Sequence, residues 1–220
     1  QDVAGNAARL SSANGVNPSG ILVVDTTPPG LSSLRLGTND GLLGSGEPVD
    51  LLVTFTEPVS VSGTVSVGLN NGGVAKYASG SGSGTLVFNY VPLAGQETPD
   101  IKTAASASLS GVVRDLAGNL VSQGIVDNID PAGVLAVDLT APGVLSVNYG
   151  ANDGLLAVGE HLTLYVRFGE PVVVQGTPKL ALQNGGAANY LSGSGTDTLA
   201  FDYVPATGQD TGDLALASSL

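Results

Sequence analysis

Apolar and polar residues alternate with a period of two over several short stretches. Val49, Leu51, Val53 and Phe55 are separated by Asp50, Leu52 and Thr54, which predicts a strand with one face turned inward. Leu162, Leu164, Val166 and Phe168, with Thr163, Tyr165 and Arg167 between them, predict the same strand a second time. Leu86, Phe88 and Tyr90 alternate with Val87 and Asn89, and Leu199, Phe201 and Tyr203 reproduce the pattern. Val65, Val67 and Leu69 lead into Asn70-Asn71-Gly72-Gly73, a turn signal followed by a strand through Tyr77. Ile101–Ala105, Val134–Val137 and Ile21–Val24 read as further strands. No segment carries a helical stripe, and Ala104–Ser110, rich in Ala and Ser, reads as an irregular connection. Roughly seven or eight short strands per hundred or so residues predict an all-β fold, a two-sheet antiparallel β-sandwich of immunoglobulin-like kind.

The pattern is written twice. Asp138-Leu139-Thr140-Ala141-Pro142-Gly143 repeats Asp25-Thr26-Thr27-Pro28-Pro29-Gly30 at an offset of 113 residues. Without a gap, the same offset aligns Asn39-Asp40-Gly41 with Asn152-Asp153-Gly154, Glu57-Pro58-Val59 with Glu170-Pro171-Val172, and Asn71-Gly72-Gly73 with Asn184-Gly185-Gly186. Gly95-Gln96 aligns with Gly208-Gln209, and Asp2-Val3-Ala4-Gly5-Asn6 with Asp115-Leu116-Ala117-Gly118-Asn119. A period this long suits whole domains with their own cores rather than solenoid units. The division expected is residues 1–24 as the last strand and turn of a preceding, incomplete repeat, 25–137 as repeat 1, and 138–220 as repeat 2 without its last strand. Pro28 and Pro29 make the connector stiff, and the expected architecture is domains end to end.

Composition narrows the class. There is no Cys, Met or Trp, Gly is abundant at 32 residues, and the apolar content is mostly Val, Leu and Ala. Absence of cysteine removes disulfides, thiol catalysis and thiolate metal sites together. The net charge of −12, from 19 acidic against 7 basic residues, disfavours nucleic acid as a partner. No apolar run is long enough for a membrane span, and no signal peptide opens the sequence, so any export address is expected outside it.

The succession Val-Asp-x-Thr-x-Pro, Asn-Asp-Gly, Gly-Glu, Phe-x-Glu-Pro-Val, Asn-Gly-Gly, Ser-Gly-Ser-Gly, Gly-Gln and Asp-x-Ala-Gly-Asn resembles the bacterial immunoglobulin-like (Big-type) repeats of long secreted adhesins, surface layers and fibres. The resemblance covers essentially the whole chain. It implies an extracellular or bacterial cell-surface stalk or filament, often calcium-dependent, with neighbouring repeats of the same protein as partners and no catalysis.

Calcium is the one cofactor with a physical case, since it takes six to eight oxygens from acidic loops and carbonyls. In a sandwich of alternating strands, Asp25 in the linker, Glu57 after the second strand, and Asp115 and Asn119 in the late loop are expected to converge at one pole, with Asp138 and Glu170 in the same places of the second copy. Asp40 and Glu47, and their equivalents Asp153 and Glu160, are expected at the opposite pole, facing the next linker. The competing reading is that these Asp and Asn side chains cap turns through their own backbone.

Other motifs carry less. Ser79-Gly80-Ser81-Gly82-Ser83-Gly84 and Ser192-Gly193-Ser194-Gly195 lack the Gly-Lys-Ser/Thr ending of a phosphate loop and read as flexible hairpin loops. His161, the single histidine, stands where the first copy has Pro48 and reads as incidental. Tyr77 and Tyr190 read as packing residues with wet hydroxyls. A glycosidase pair of Glu47 and Glu57 is set against the ordinary presence of acids in turns. The function expected is a structural repeat module, not an enzyme, calcium-rigidified at its junctions. The alternative is a carbohydrate- or protein-binding adhesion module, which near-identical loops in the two copies disfavour. The two ends fit either an excerpt of a long array or head-to-tail strand completion, in which residues 1–24 of one chain fill the open sandwich of an identical chain.

Overall fold

The computed structural model describes residues 1–106 and 108–218. Apart from a 3-10 turn at Leu10–Ala13, the regular structure is β, organised in several sheets and consistent with a β-sandwich. The chain forms two compact units, Gln1–Leu139 and Thr140–Leu220.

The first unit contains β1 (Leu31–Leu36), β2 (Leu42–Leu43), β3 (Val49–Gly68), β4 (Val74–Ser79), β5 (Ser83–Tyr90), β6 (Leu109–Arg114) and β7 (Ala136–Val137). Its organising element is β3. The first half of β3 pairs antiparallel with β1 (Leu34 opposite Val53) on one side and with β5 (Leu51 opposite Phe88, Val53 opposite Leu86) on the other. The register then shifts between Thr54 and Val59, around Pro58, which cannot donate to a ladder. Beyond the shift, β3 pairs with β6 (Val61 opposite Val113) and with β4 (Val67 opposite Ala75). One strand thus serves two groups of partners, with irregularities between Thr54 and Val59 and again between Ser62 and Ser66. Its inward positions Val49, Leu51, Val53, Phe55, Val59, Val65 and Val67 are all buried, together with Leu86, Phe88 and Tyr90 from β5. The strand β6 was not anticipated in the sequence: Leu109 and Ser110, assigned there to an irregular connection, open it.

The second unit contains β8 (Val144–Tyr149), β9 (Leu162–Val172), β10 (Lys179–Ala181), β11 (Ala187–Ser192) and β12 (Thr196–Tyr203), in the sheet order β10-β11-β12-β9-β8. Its buried set, Leu162, Leu164, Val166, Leu182, Ala188, Leu199, Phe201 and Tyr203, repeats that of the first unit at the 113-residue offset. Phe168 is only partly buried against it.

Three strand expectations are corrected. Ile101–Ala105 is no strand; Ile101 is buried, and Thr103 makes an isolated bridge to Leu69. Val134–Val137 shrinks to Ala136–Val137, which runs parallel to β2, with Leu42 opposite Ala136 and Leu43 opposite Val137. Ile21–Val24 forms no strand and is exposed along its whole length. Alternation and β-branching prepare a segment for a sheet, but a strand exists only where another edge supplies its hydrogen bonds.

The hairpin loops expected to be flexible are tightly bonded. Ser83 Oγ donates to the carbonyls of Gly80 and Thr85, and Ser81 N–H donates to the Tyr77 hydroxyl. Tyr77 also packs edge-on against Phe88 with ring centres 6.0 Å apart, and Tyr190 does the same with Phe201 at 5.9 Å.

Candidate metal centre

Three acidic side chains of the first unit meet. Pairing of β1 with β3 sets Leu31 opposite Phe55, which carries the preceding segment with Asp25 toward the β3 bend at Glu57. Pairing of β3 with β6 sets Ser60 opposite Arg114 and delivers Asp115, the next residue, to the same place. One carboxylate oxygen of each of Asp25, Glu57 and Asp115 lies within 4.8 Å of the others.

Each acid is held differently. Asp115 is buried, and its Oδ1 accepts the backbone N–H groups of Gly118 at 2.6 Å and Asn119 at 2.8 Å. Its Oδ2 accepts from Asn119 Nδ2 at 2.7 Å. Asn119 Nδ2 also reaches the carbonyl oxygens of Asp25 and Thr27, at 3.2 and 3.4 Å, and so ties the late loop to the segment before β1. Asp25 Oδ1 caps the N–H of Thr27. Glu57 is half-buried and accepts no hydrogen bond among the described residues.

The charge balance follows from this arrangement. Burial pushes Asp115 up, but the Asn119 side chain and the N–H groups of Asn119, Gly118 and Ala117 outweigh it and hold its carboxyl below the ordinary range. Glu57 has no such donors, and burial, then repulsion from Asp25 and Asp115, pushes its carboxyl up. Among the described residues no salt bridge involves any of the three. An oxygen-only set of three carboxylates with uncompensated charge is able to hold a metal ion, and its chemistry suits a hard one.

The remaining candidates are placed otherwise. Asp40 Oδ1 caps Leu42 N–H and Glu47 Oε2 caps Gly44 N–H. In the second unit Asp153 caps Leu155 N–H and Glu160 caps Ala157 N–H. All four close turns, the competing role weighed for them, and among the described residues only Asp25, Glu57 and Asp115 form an acidic group of three. Of the second-copy pair, Asp138 lies at the end of the first unit and Glu170 in β9 of the second. His161 pairs with Asp202 at 2.9 Å on the surface.

The repeated motifs with no obvious chemistry build a scaffold network. Asn71 Nδ2 donates to the Tyr90 hydroxyl at 2.9 Å and to Gln96 O at 2.7 Å, while its Oδ1 accepts Gly73 N–H at 3.0 Å. Tyr90 in turn donates to Gln96 Oε1 at 3.1 Å. Asn184, Tyr203, Gln209 and Gly186 make the same four bonds. The second unit also has a groove of about 700 Å³ whose lining includes Leu155, Leu156, Thr211 and Leu214, residues not singled out in the sequence. Among the described residues no helix is long and apolar enough to cross a membrane. No protein-family model matches the chain, and no curated protein is significantly similar to it.

Proposed function

We propose that the chain is a structural repeat module of an extracellular stalk, surface layer or fibre, built of tandem immunoglobulin-like β-sandwiches, with calcium at Asp25, Glu57 and Asp115. The observation that carries this reading is the duplicated scaffold network: the residues the two copies share are spent on holding turns, from Asn71 and Gln96 to Asn184 and Gln209. A recognition tip would be expected to differ between copies. Calcium is favoured over softer ions because every donor is oxygen, and it would draw Asp25 toward Glu57 and Asp115, tying the segment before β1 to the body of the unit.

The test is calorimetric calcium binding with thermal unfolding, in calcium and then in excess chelator, on the 220-residue chain and on Glu57→Gln. Glu57 closes no turn, so the substitution removes charge without removing a cap. At a hundredfold excess over Kd, calcium should stabilise the first unit by about 2.7 kcal/mol. Glu57→Gln should lose most of that response yet be no less stable in chelator, because it relieves repulsion. No response in the wild-type chain, or an equal response in the variant, refutes the calcium centre. Selective binding of a glycan panel would instead favour the adhesion module.

A further inference from the structure

We infer that Asn71 and Asn184 are gated deamidation sites, and that the side-chain network around each is the lock that keeps its unit from spontaneous chemical damage. Each asparagine precedes a glycine, Gly72 or Gly185, at equivalent places in the two copies. A glycine there leaves the backbone nitrogen unshielded by any side chain. The reaction is a ring closure: Gly72 N loses its proton and attacks Asn71 Cγ, the bond from Cγ to Nδ2 breaks, and ammonia leaves. Water then opens the resulting succinimide to aspartate or isoaspartate. Gly72 and Gly185 are exposed, so water and hydroxide reach both sites.

The folded turn withholds both reactants. Gly72 N–H donates to Leu69 O at 3.2 Å, and Gly185 N–H to Leu182 O at 3.1 Å, so each attacking nitrogen is tied into its turn. The side-chain amide is held at both its polar atoms. Asn71 Oδ1 accepts from Gly73 N–H at 3.0 Å, and its Nδ2 donates to the Tyr90 hydroxyl at 2.9 Å and to Gln96 O at 2.7 Å. Asn184 is held in the same way by Gly186, Tyr203 and Gln209. Swinging Cγ toward the glycine nitrogen breaks all three of these bonds. The backbone has little room to adjust, since a Cβ on Gly73 would stand 2.5 Å from Tyr90 Cε2, and one on Gly186 2.7 Å from Tyr203 Cε2. The turn therefore has to open before the ring can close.

A single such event destroys the lock. An aspartate at this position would set a carboxylate oxygen facing Gln96 O across the 2.7 Å that Asn71 Nδ2 now bridges. Isoaspartate adds a backbone carbon to the turn that Leu69 N–H closes on Gly73 O at 2.9 Å. Neither product rebuilds the network. This goes beyond the structural-module reading, because it gives the repeated network a second task, chemical durability.

The test is to incubate the 220-residue chain at mildly alkaline pH, folded and in urea, and to follow conversion at each asparagine by peptide mapping with mass spectrometry. With three bonds to break, conversion at Asn71 and Asn184 should be about a hundredfold slower in the folded chain than in urea. Tyr90→Phe removes one of the three bonds, and should speed conversion at Asn71 about fivefold while leaving Asn184 unchanged. Gly82→Ala, in the turn between β4 and β5 at φ +87°, puts a comparable strain on the same unit without touching the network, and should leave Asn71 unchanged. Equal rates in the folded and the urea-unfolded chain overturn the proposal. Tyr90→Phe without effect overturns it too, by removing the network from the lock. So does equal acceleration by Tyr90→Phe and Gly82→Ala, which would route the reaction through unfolding of the whole unit. None of these outcomes touches the calcium response of Glu57, so the two readings fall separately.

Discussion

Replacing Asn71 by Ala removes one side chain but three hydrogen bonds: to the Tyr90 hydroxyl, to the Gln96 carbonyl, and from Gly73 N–H. At about 1 kcal/mol net for each, the loss is about 3 kcal/mol, and the stranded backbone groups make that a floor where water cannot reach them. For a unit the size of Gln1–Leu139 this is a fall of about 10 °C in unfolding temperature. With no Trp and six Tyr, tyrosine fluorescence and far-ultraviolet circular dichroism are the natural probes. Asn184→Ala should produce the same loss in the second unit, so the pair also tells which transition belongs to which unit. Tyr90→Phe keeps the buried ring and should cost about 1 kcal/mol, and combining it with Asn71→Ala should give a coupling of about 1 kcal/mol through their shared bond. Asn71→Ala costing under about 1 kcal/mol, or strict additivity with Tyr90→Phe, would refute the account of the network.

Three further outcomes are expected. Gly80 has φ +106° and a Cβ there would stand 2.1 Å from Thr85 O, so Gly80→Ala should cost about 3 kcal/mol by urea unfolding, whereas Gly82→Ala, with φ +87° and open space, should cost about 1. The pH dependence of stability has two parts of opposite sign in the metal-free chain. Glu57, pushed up, contributes stability that is complete below its ordinary value of 4.5 and is lost as pH rises through its folded pKa; Asp115, held down, contributes stability present above 3.8 and lost as pH falls through its own. Glu57→Gln should remove the first of these from a pH series of unfolding curves and leave the second. His161→Ala, which breaks only an exposed pair with Asp202, should change stability by less than about 0.5 kcal/mol.

What was legible in the sequence follows from the range of each interaction. Inward faces such as Val49, Leu51, Val53 and Phe55 announce themselves because burial on one face imposes a period of two. Asp25, Glu57 and Asp115 do come together as expected, but Glu57 arrives from a bend inside β3 and not from a turn after a strand, so counting strand reversals reaches the cluster by the wrong route. The strand Leu109–Arg114 could not be anticipated: Ser110 and Gly111, the latter at φ +87°, obscure the alternation. Nor could the state of Ile21–Val24, which suits a strand by composition and forms none. For Asp40 and Glu47 the chemistry itself was ambiguous, since an oxygen that can ligate an ion can equally close a turn, as both do here.

The parallel course of β7 beside β2 has a mechanical meaning. Tension that reaches these two strands from opposite ends of the first unit pulls them past each other along their common axis. The bonds from Ala136 and Asp138 to Gly41 and Leu43 are then loaded together, and those between Val137 and Thr98 brace the same strand. A hairpin pulled from its open end gives up its bonds one at a time. Seated side by side and sheared, this short pair works as a clasp that holds the end of the first unit against its body.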